Sequence, residues 1–254
     1  MSFMESPEQK DLEASTVSPQ WFATTHWSAV MLAGAPDSPR AIEALETLCR
    51  AYWLPLYTYV RRQGYGAHDA QDLTQGFFVR LLRMNSFAGV SPEKGKFRTF
   101  LLAALNHFLS DERDRARAEK RGGGQAIISI DENEAEERYL QMPNLGPEPE
   151  KAFDRRWALT VLEQALARLQ EEYRGSGRAE IFEHLRVYLS SEASPGDYDT
   201  LAPRLAMSPN ALGVAVHRLR QRYRECIRLE LAQTVTGPQD LEEEMNYLFS
   251  VLSA

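Results

Sequence analysis

Cysteine is nearly missing from these 254 residues: only Cys49 and Cys226 occur, far apart and without metal-type spacing. That excludes a disulfide framework and a cysteine-rich metal domain, and both residues read as reduced thiols on apolar helix faces. The five histidines, His26, His68, His107, His184 and His217, are scattered with no ligand spacing, so no metal is expected. No stretch approaches the ~18 apolar residues that a membrane span needs, and the N-terminus has no hydrophobic signal core. A cytoplasmic chain that meets no membrane is the expectation. Strand patterning is confined to the short run Ala126 to Ile130. Gly122-Gly123-Gly124 lacks a following Lys-Ser/Thr pair, so it reads as a helix stop and not as a phosphate loop. No paired carboxylate site is discernible, and His107 reads as a packing or polar surface group, not as a general base. No catalytic residue and no cofactor are therefore assigned, and the chain is not read as an enzyme.

A net charge of −7 by itself argues against a polyanion partner, but its distribution reverses that. Lys94 to Arg121 holds eight cations against four acids, a local charge of +4. Arg204 to Arg228 holds six arginines against Glu225 alone, or +5. Between them, Asp131 to Glu150 has seven acids against Arg138, or −6, and Leu229 to Ala254 has five acids and no base. Basic blocks set apart by acidic ones can bind nucleic acid locally whatever the sign of the whole chain.

Helical period governs almost every ordered segment, which predicts an all-α fold of two helical domains joined by an acidic linker. Residues 1–20 are polar and aperiodic and read as a disordered leader. Residues 21–125 form the first domain. Within it, Ile42, Leu45, Cys49, Trp53, Leu56 and Val60 mark an amphipathic helix that Pro55 is expected to kink, and Gly64-Tyr65-Gly66 ends it. A helix from about His68 to Arg83 buries Leu73, Phe77 and Leu81, and a basic helix runs from Phe97. Residues 126–150, acidic and bearing Pro143, Pro147 and Pro149, read as the linker. Residues 151–235 form the second domain, in which Ser208 N-caps a long helix begun by Pro209. Residues 236–254 form an acidic amphipathic tail.

The segment Tyr198 to Arg224 has helix-turn-helix proportions. On its second helix Leu212, Val216, Leu219, Tyr223 and Ile227 share one arc. Asn210, Ala211, Val214, His217, Arg218 and Gln221 lie opposite, with Arg222 on the flank. Small and amide residues near the helix start, followed by arginines, suit approach to base edges and phosphates. On the basic helix Asn106, Ser110, Arg113, Arg117 and Lys120 recur at spacings of three and four, opposite Phe97, Leu101, Ala104, Leu105 and Phe108.

The run DAQDLTQGFFVRLL, Asp69 to Leu82, with the loop and FRTFLLAALNHFLSDERDRAR after it, resembles the second conserved region of bacterial sigma factors. The segment ending in HRLRQRYRECIR resembles their fourth. With only an acidic linker between the two, the chain is similar to the extracytoplasmic-function (ECF) group of the sigma-70 family. The similarity covers roughly Ala41 to Arg121 and Phe153 to Thr234. FATTHWS, RAEKRGGG and the YLF-containing tail resemble a subgroup found in bacteria rich in such regulators. The resemblance implies a factor that binds core RNA polymerase and directs promoter recognition and transcription initiation.

It implies polymerase docking by Asp72, Gln75 and Arg80. It places −10 promoter DNA at Lys96, Asn106, Ser110, Arg113, Arg117 and Lys120, with the loop Ser86 to Lys96 capturing an unstacked base. It places −35 DNA at Asn210, Ala211, Val214, His217, Arg218, Gln221 and Arg222. Phe87 is a candidate for stacking on exposed bases, whereas Phe97 reads as core. Gly76 departs from the acid usual after the glutamine, and Phe100 stands where tryptophan is common. The recognition helix opens Asn210-Ala211-Leu212, and the helix from Arg178 and the loop Glu192 to Asp199 are longer than the compact pattern. Two rival readings are a helix-turn-helix regulator that never docks on polymerase and a sigma-like interaction adaptor. An anti-sigma factor or a kinase is a candidate further partner. The tail reads either as a stabilising helix or as a flap whose acids compete with DNA for the +5 helix.

Overall fold

A computed structural model describes residues 39–83, 96–118, 132–141, 148–235 and 237–253. The expected leader, the strand-like run Ala126 to Ile130, Phe87 and most of the Ser86 to Lys96 loop lie outside them. Among the described residues no strand occurs, and the all-α expectation holds.

Helix α1, Pro39–Arg62, runs through Pro55 without a break and is closed at Gly64, whose φ of 95° is one that a side chain would resist. Helix α2, Ala67–Arg83, returns along α1, and α3, Phe97–Ala118, packs on α2. Their shared core holds Trp53, Leu56, Phe77, Phe78, Leu101 and Leu105, all buried. Gly76 explains its own departure from the usual acid: a Cβ there would sit 3.3 Å from the Phe108 ring, so the glycine lets α3 close onto α2.

The supposed linker contains a helix, α4, Glu132–Leu140. It docks on α1 through a mixed cluster and not through an apolar stripe. Glu136 receives two hydrogen bonds from Arg61, at 2.6 and 3.0 Å, and one from the Tyr57 hydroxyl. The Arg61 guanidinium lies 4.8 Å from the Tyr139 ring centre, and Ala135 is buried. An acidic segment with few apolar residues can be helical when its carboxylate finds an arginine on a neighbour.

Helix α5, Pro149–Gly175, lies along α1 over the most extensive helix–helix interface among the described residues. It also carries α8, Pro209–Ala232, so it is the spine on which both halves of the chain are assembled. Between them come α6, Ala179–Leu185, a 3-10 turn at Arg186–Leu189, and α7, Asp197–Leu205. Ala206, at φ 51°, ends α7 in a left-handed cap, with the Met207 N–H donating to the Ala202 carbonyl at 3.1 Å. Ser208 then N-caps α8 as expected, its hydroxyl accepting from the Ala211 N–H at 3.2 Å. Helix α9, Pro238–Ser253, packs back on α5 and α8.

Candidate nucleic-acid and polymerase interfaces

Helix α8 projects much as its sequence predicts. Leu212, Val216, Leu219 and Ile227 are buried, and Tyr223 is half-buried with its hydroxyl donating to the Leu162 carbonyl at 3.0 Å. Asn210, Val214, His217, Arg218 and Gln221 are exposed, and Ala211 is half-buried at the start of the row. Val214 is one of few large apolar side chains exposed on the described residues, which fits a face that meets a partner. Arg222 departs from the expectation. It forks onto Glu172 of α5 at 2.7 and 2.8 Å and onto Glu225 at 2.6 Å, so in this state it fastens α8 to α5. The Glu172 hydrogen bonds are the leading cause that raises its pKa, and the same bonds lower that of Glu172. Periodicity put Arg222 on the flank but did not reveal the carboxylate opposite it.

On α2, Asp72 is exposed, with its carboxylate 3.9 Å from His68. Gln75 is not: it is 8 % exposed and belongs to the buried stripe Gln71, Thr74, Gln75 and Phe78. Docking through Gln75, as the resemblance implies, does not fit its burial, which the largely polar composition of this stripe hides from a reading of the sequence. Arg80 bridges to Asp111 of α3 at 2.7 Å. Beside it, a groove of about 340 Å³ lined by Phe77, Leu81, Phe100, Ala104 and Phe108 opens between α2 and α3.

The face of α3 divides. Ser110 and Arg113 are exposed as predicted. Asn106 is turned inward, and its Oδ1 accepts from the Tyr59 hydroxyl of α1 at 2.9 Å. The side chain of Arg117, and Lys120 altogether, fall outside the described residues. Lys96 is engaged by carboxylates of α9: Glu244 at 3.0 Å and Glu243 at 3.5 Å.

Next to Lys96 stands a cluster that the sequence did not disclose. Arg98 reaches Glu244 at 3.1 and 3.3 Å and Asp154 of α5 at 3.3 Å, while its guanidinium lies 3.8 Å from the Tyr247 ring centre and 5.1 Å from that of Trp157. The Tyr247 hydroxyl donates to Asp154 at 2.6 Å. Burial is the largest single influence on Arg98 and opposes its charge, but the Glu244 hydrogen bonds together with the charges of Glu244 and Asp154 outweigh it, and its pKa rises. Burial also lifts Asp154 above its ordinary value and, with Asp154 alongside, pushes Tyr247 up to about 12. The signals for this cluster were present in the sequence, an arginine in the first basic block and a run of glutamates in the tail. Nothing local paired them.

Chemically, these surfaces offer cations, amides and an apolar groove. Among the described residues no group of histidines, cysteines and carboxylates is placed to hold a metal. Cys226 is buried, and burial pushes its thiol up to about 11, as befits an inert core residue; the Cys49 side chain is outside those described. No described helix is long and apolar enough to cross a membrane.

The ECF sigma factor family model matches residues 44–188, more than half of the chain. The chain belongs to the ECF sigma factor family. Members are transcription initiation factors, and the catalyst in their reaction is the polymerase they partner. The match spans α2 and α3 and stops at residue 188, before α7, α8 and α9. No curated protein and no solved structure matches this sigma factor significantly.

Proposed function

We propose that this chain binds core RNA polymerase, directs it to selected promoters, and acts in the cytoplasm beside it. The labour is divided between the two halves. Asp72 and the α2–α3 surface around Arg80 dock on polymerase. Lys96, Ser110 and Arg113, continuing toward Arg117 and Lys120, follow the −10 strand. Helix α8 enters the major groove of the −35 duplex as the second member of a helix-turn-helix.

The observation that carries this reading is the exposed row Asn210, Val214, His217, Arg218 and Gln221 on α8, which contains no acid and lies opposite the buried Leu212, Val216, Leu219 and Ile227. An ordinary solvated face on so acidic a chain would mix signs. The family match supplies the polymerase half of the argument.

Purified protein added to core polymerase on linear genomic fragments tests it. New, discrete transcription starts are expected, lost with Asp72→Ala through failed polymerase capture and with Arg218→Glu through failed promoter binding. DNA binding without any polymerase-dependent start would instead identify a regulator that acts alone, and polymerase capture without starts would identify an adaptor.

A further inference from the structure

Helix α9 lies beyond the part of the chain that matches the family model, and its glutamates pair away from the exposed row on α8. One of them, Glu242, pairs with Arg228 at the far end of α8. Glu243 and Glu244 cross to the other half of the protein. Glu244 is 2 % exposed and holds both Arg98 and Lys96, 146 positions from Arg98 in sequence. A carboxylate buried this deeply is seldom the most stabilising choice, because desolvation offsets most of the attraction, and such pairs select one arrangement over another.

The apolar anchorage of α9 is uneven. Leu241, Met245 and Leu248 are buried and Tyr247, Val251 and Leu252 half-buried, but Phe249 is 46 % exposed. The ion pairs at Lys96 are the part of this fastening that a competing anion can reach and undo. Lys96, 28 % exposed at its side chain, opens the basic helix, where the proposed function needs it for the DNA backbone.

We propose that α9 is a phosphate-mimicking clasp. Its Glu243 and Glu244 occupy Lys96 and Arg98, fasten the start of α3 to α5 and α8, and keep the free protein from engaging DNA. The backbone of promoter DNA, presented on polymerase, displaces the two carboxylates and frees Lys96, while Arg98 stays paired with Asp154 of α5. The clasp rests on the proposed function for its biological meaning, but its test uses DNA without polymerase.

The full-length double variant Glu243→Gln/Glu244→Gln keeps the shape of both side chains and removes their charge. Its affinity for a fluorescent mixed-sequence 30-base-pair duplex is measured by anisotropy across a salt series. About fivefold tighter binding is expected at low salt, with a log–log salt slope steeper by about 0.9, the value for one added phosphate contact. Adding Lys96→Gln should return most of the added slope. Removing two exposed acids elsewhere, with Glu171→Gln/Glu180→Gln, should change affinity less than about twofold, separating the clasp from a general loss of negative charge. Should the double variant fail to fold by circular dichroism, Glu243→Gln alone touches only the half-exposed member and should still bind about two- to threefold tighter. Unchanged affinity and slope in a folded variant overturns the clasp, as does an equal gain in the control. Failure of the proposed function shows separately, as absent transcription starts in wild type and variant alike.

Discussion

Removing the Tyr59 hydroxyl decides whether Asn106 belongs to the fold or to DNA. The Tyr59 hydroxyl donates to Asn106 at 2.9 Å, lies 3.2 Å from a Glu150 oxygen, and accepts from the Gln63 amide at 3.0 Å. Tyr59→Phe leaves the edge-on ring contact with Phe153 in place and deletes only these links. A typical hydrogen bond contributes a net ~0.5–1.5 kcal/mol, and a buried group left unpaired costs ~1–3 kcal/mol. Asn106 is half-buried, so water can partly replace the lost hydroxyl and the lower range applies. Each of Tyr59→Phe and Asn106→Ala should therefore cost about 1 kcal/mol, or about 2–4 °C in Tm for a fold of this size. The double variant should cost clearly less than the two together, with a coupling energy of about 0.5–1.5 kcal/mol. Urea denaturation of the four proteins measures the cycle, and anisotropy on a duplex measures DNA affinity, which Asn106→Ala should change less than about twofold. A bidentate asparagine–adenine contact would be worth about 1–3 kcal/mol of discrimination. Additive stabilities combined with a tenfold or greater loss of DNA affinity in Asn106→Ala would refute the structural assignment.

Arg218→Glu should weaken duplex binding far more than Arg228→Glu, because Arg218 is exposed in the acid-free row whereas Arg228 pairs with Glu242; equal losses across a salt series would contradict the orientation of α8. Ala206→Gly should raise stability by about 1 kcal/mol, since φ of 51° is costly for a residue with a Cβ and free for glycine; a lowered Tm would show that the Ala206 methyl packs usefully. The pH dependence follows from Glu136 and Glu172, which hydrogen bonds from Arg61 and Arg222 hold below their ordinary 4.5. The folded state then binds fewer protons than the unfolded one, so their contribution is present above pH 4.5 and lost as pH falls through the lower folded values. Asp154, raised by burial above its ordinary 3.8, has the opposite sign and favours the fold most at low pH. Glu136→Gln should flatten the acid limb of a Tm–pH series, and an acid limb identical to wild type would show that the Arg61 pair is absent in solution.

What could be read from the sequence was local. Ser208 before Pro209, the buried arc of α8 and the glycine stop after α1 each depend on residues within a turn or two, and each stands as expected. Sequence failed wherever a polar side chain turned inward, because its partner lies far along the chain. Gln75 sits in a stripe whose period is apolar in geometry but not in composition. Asn106 answers to Tyr59, Arg222 to Glu172, and Glu136 to Arg61, pairs separated by 47, 50 and 75 positions. The acidic stretch holding Glu136 passes for a linker for the same reason: a segment with so little to bury looks unable to fold until the arginine that receives it is known. Charge counting in blocks had a matching blind spot. It placed the tail's acids beside the +5 helix because that helix is their neighbour in sequence. Glu242 does pair with Arg228 there, but Glu243 and Glu244 reach Lys96 and Arg98, in the block of +4 charge, because α5 carries both halves of the chain and brings the far end of one against the near end of the other. A charge pattern can thus say that basic faces need a polyanion or a substitute for one. Only the packing of helices on α5 says which basic face the chain's own carboxylates reach.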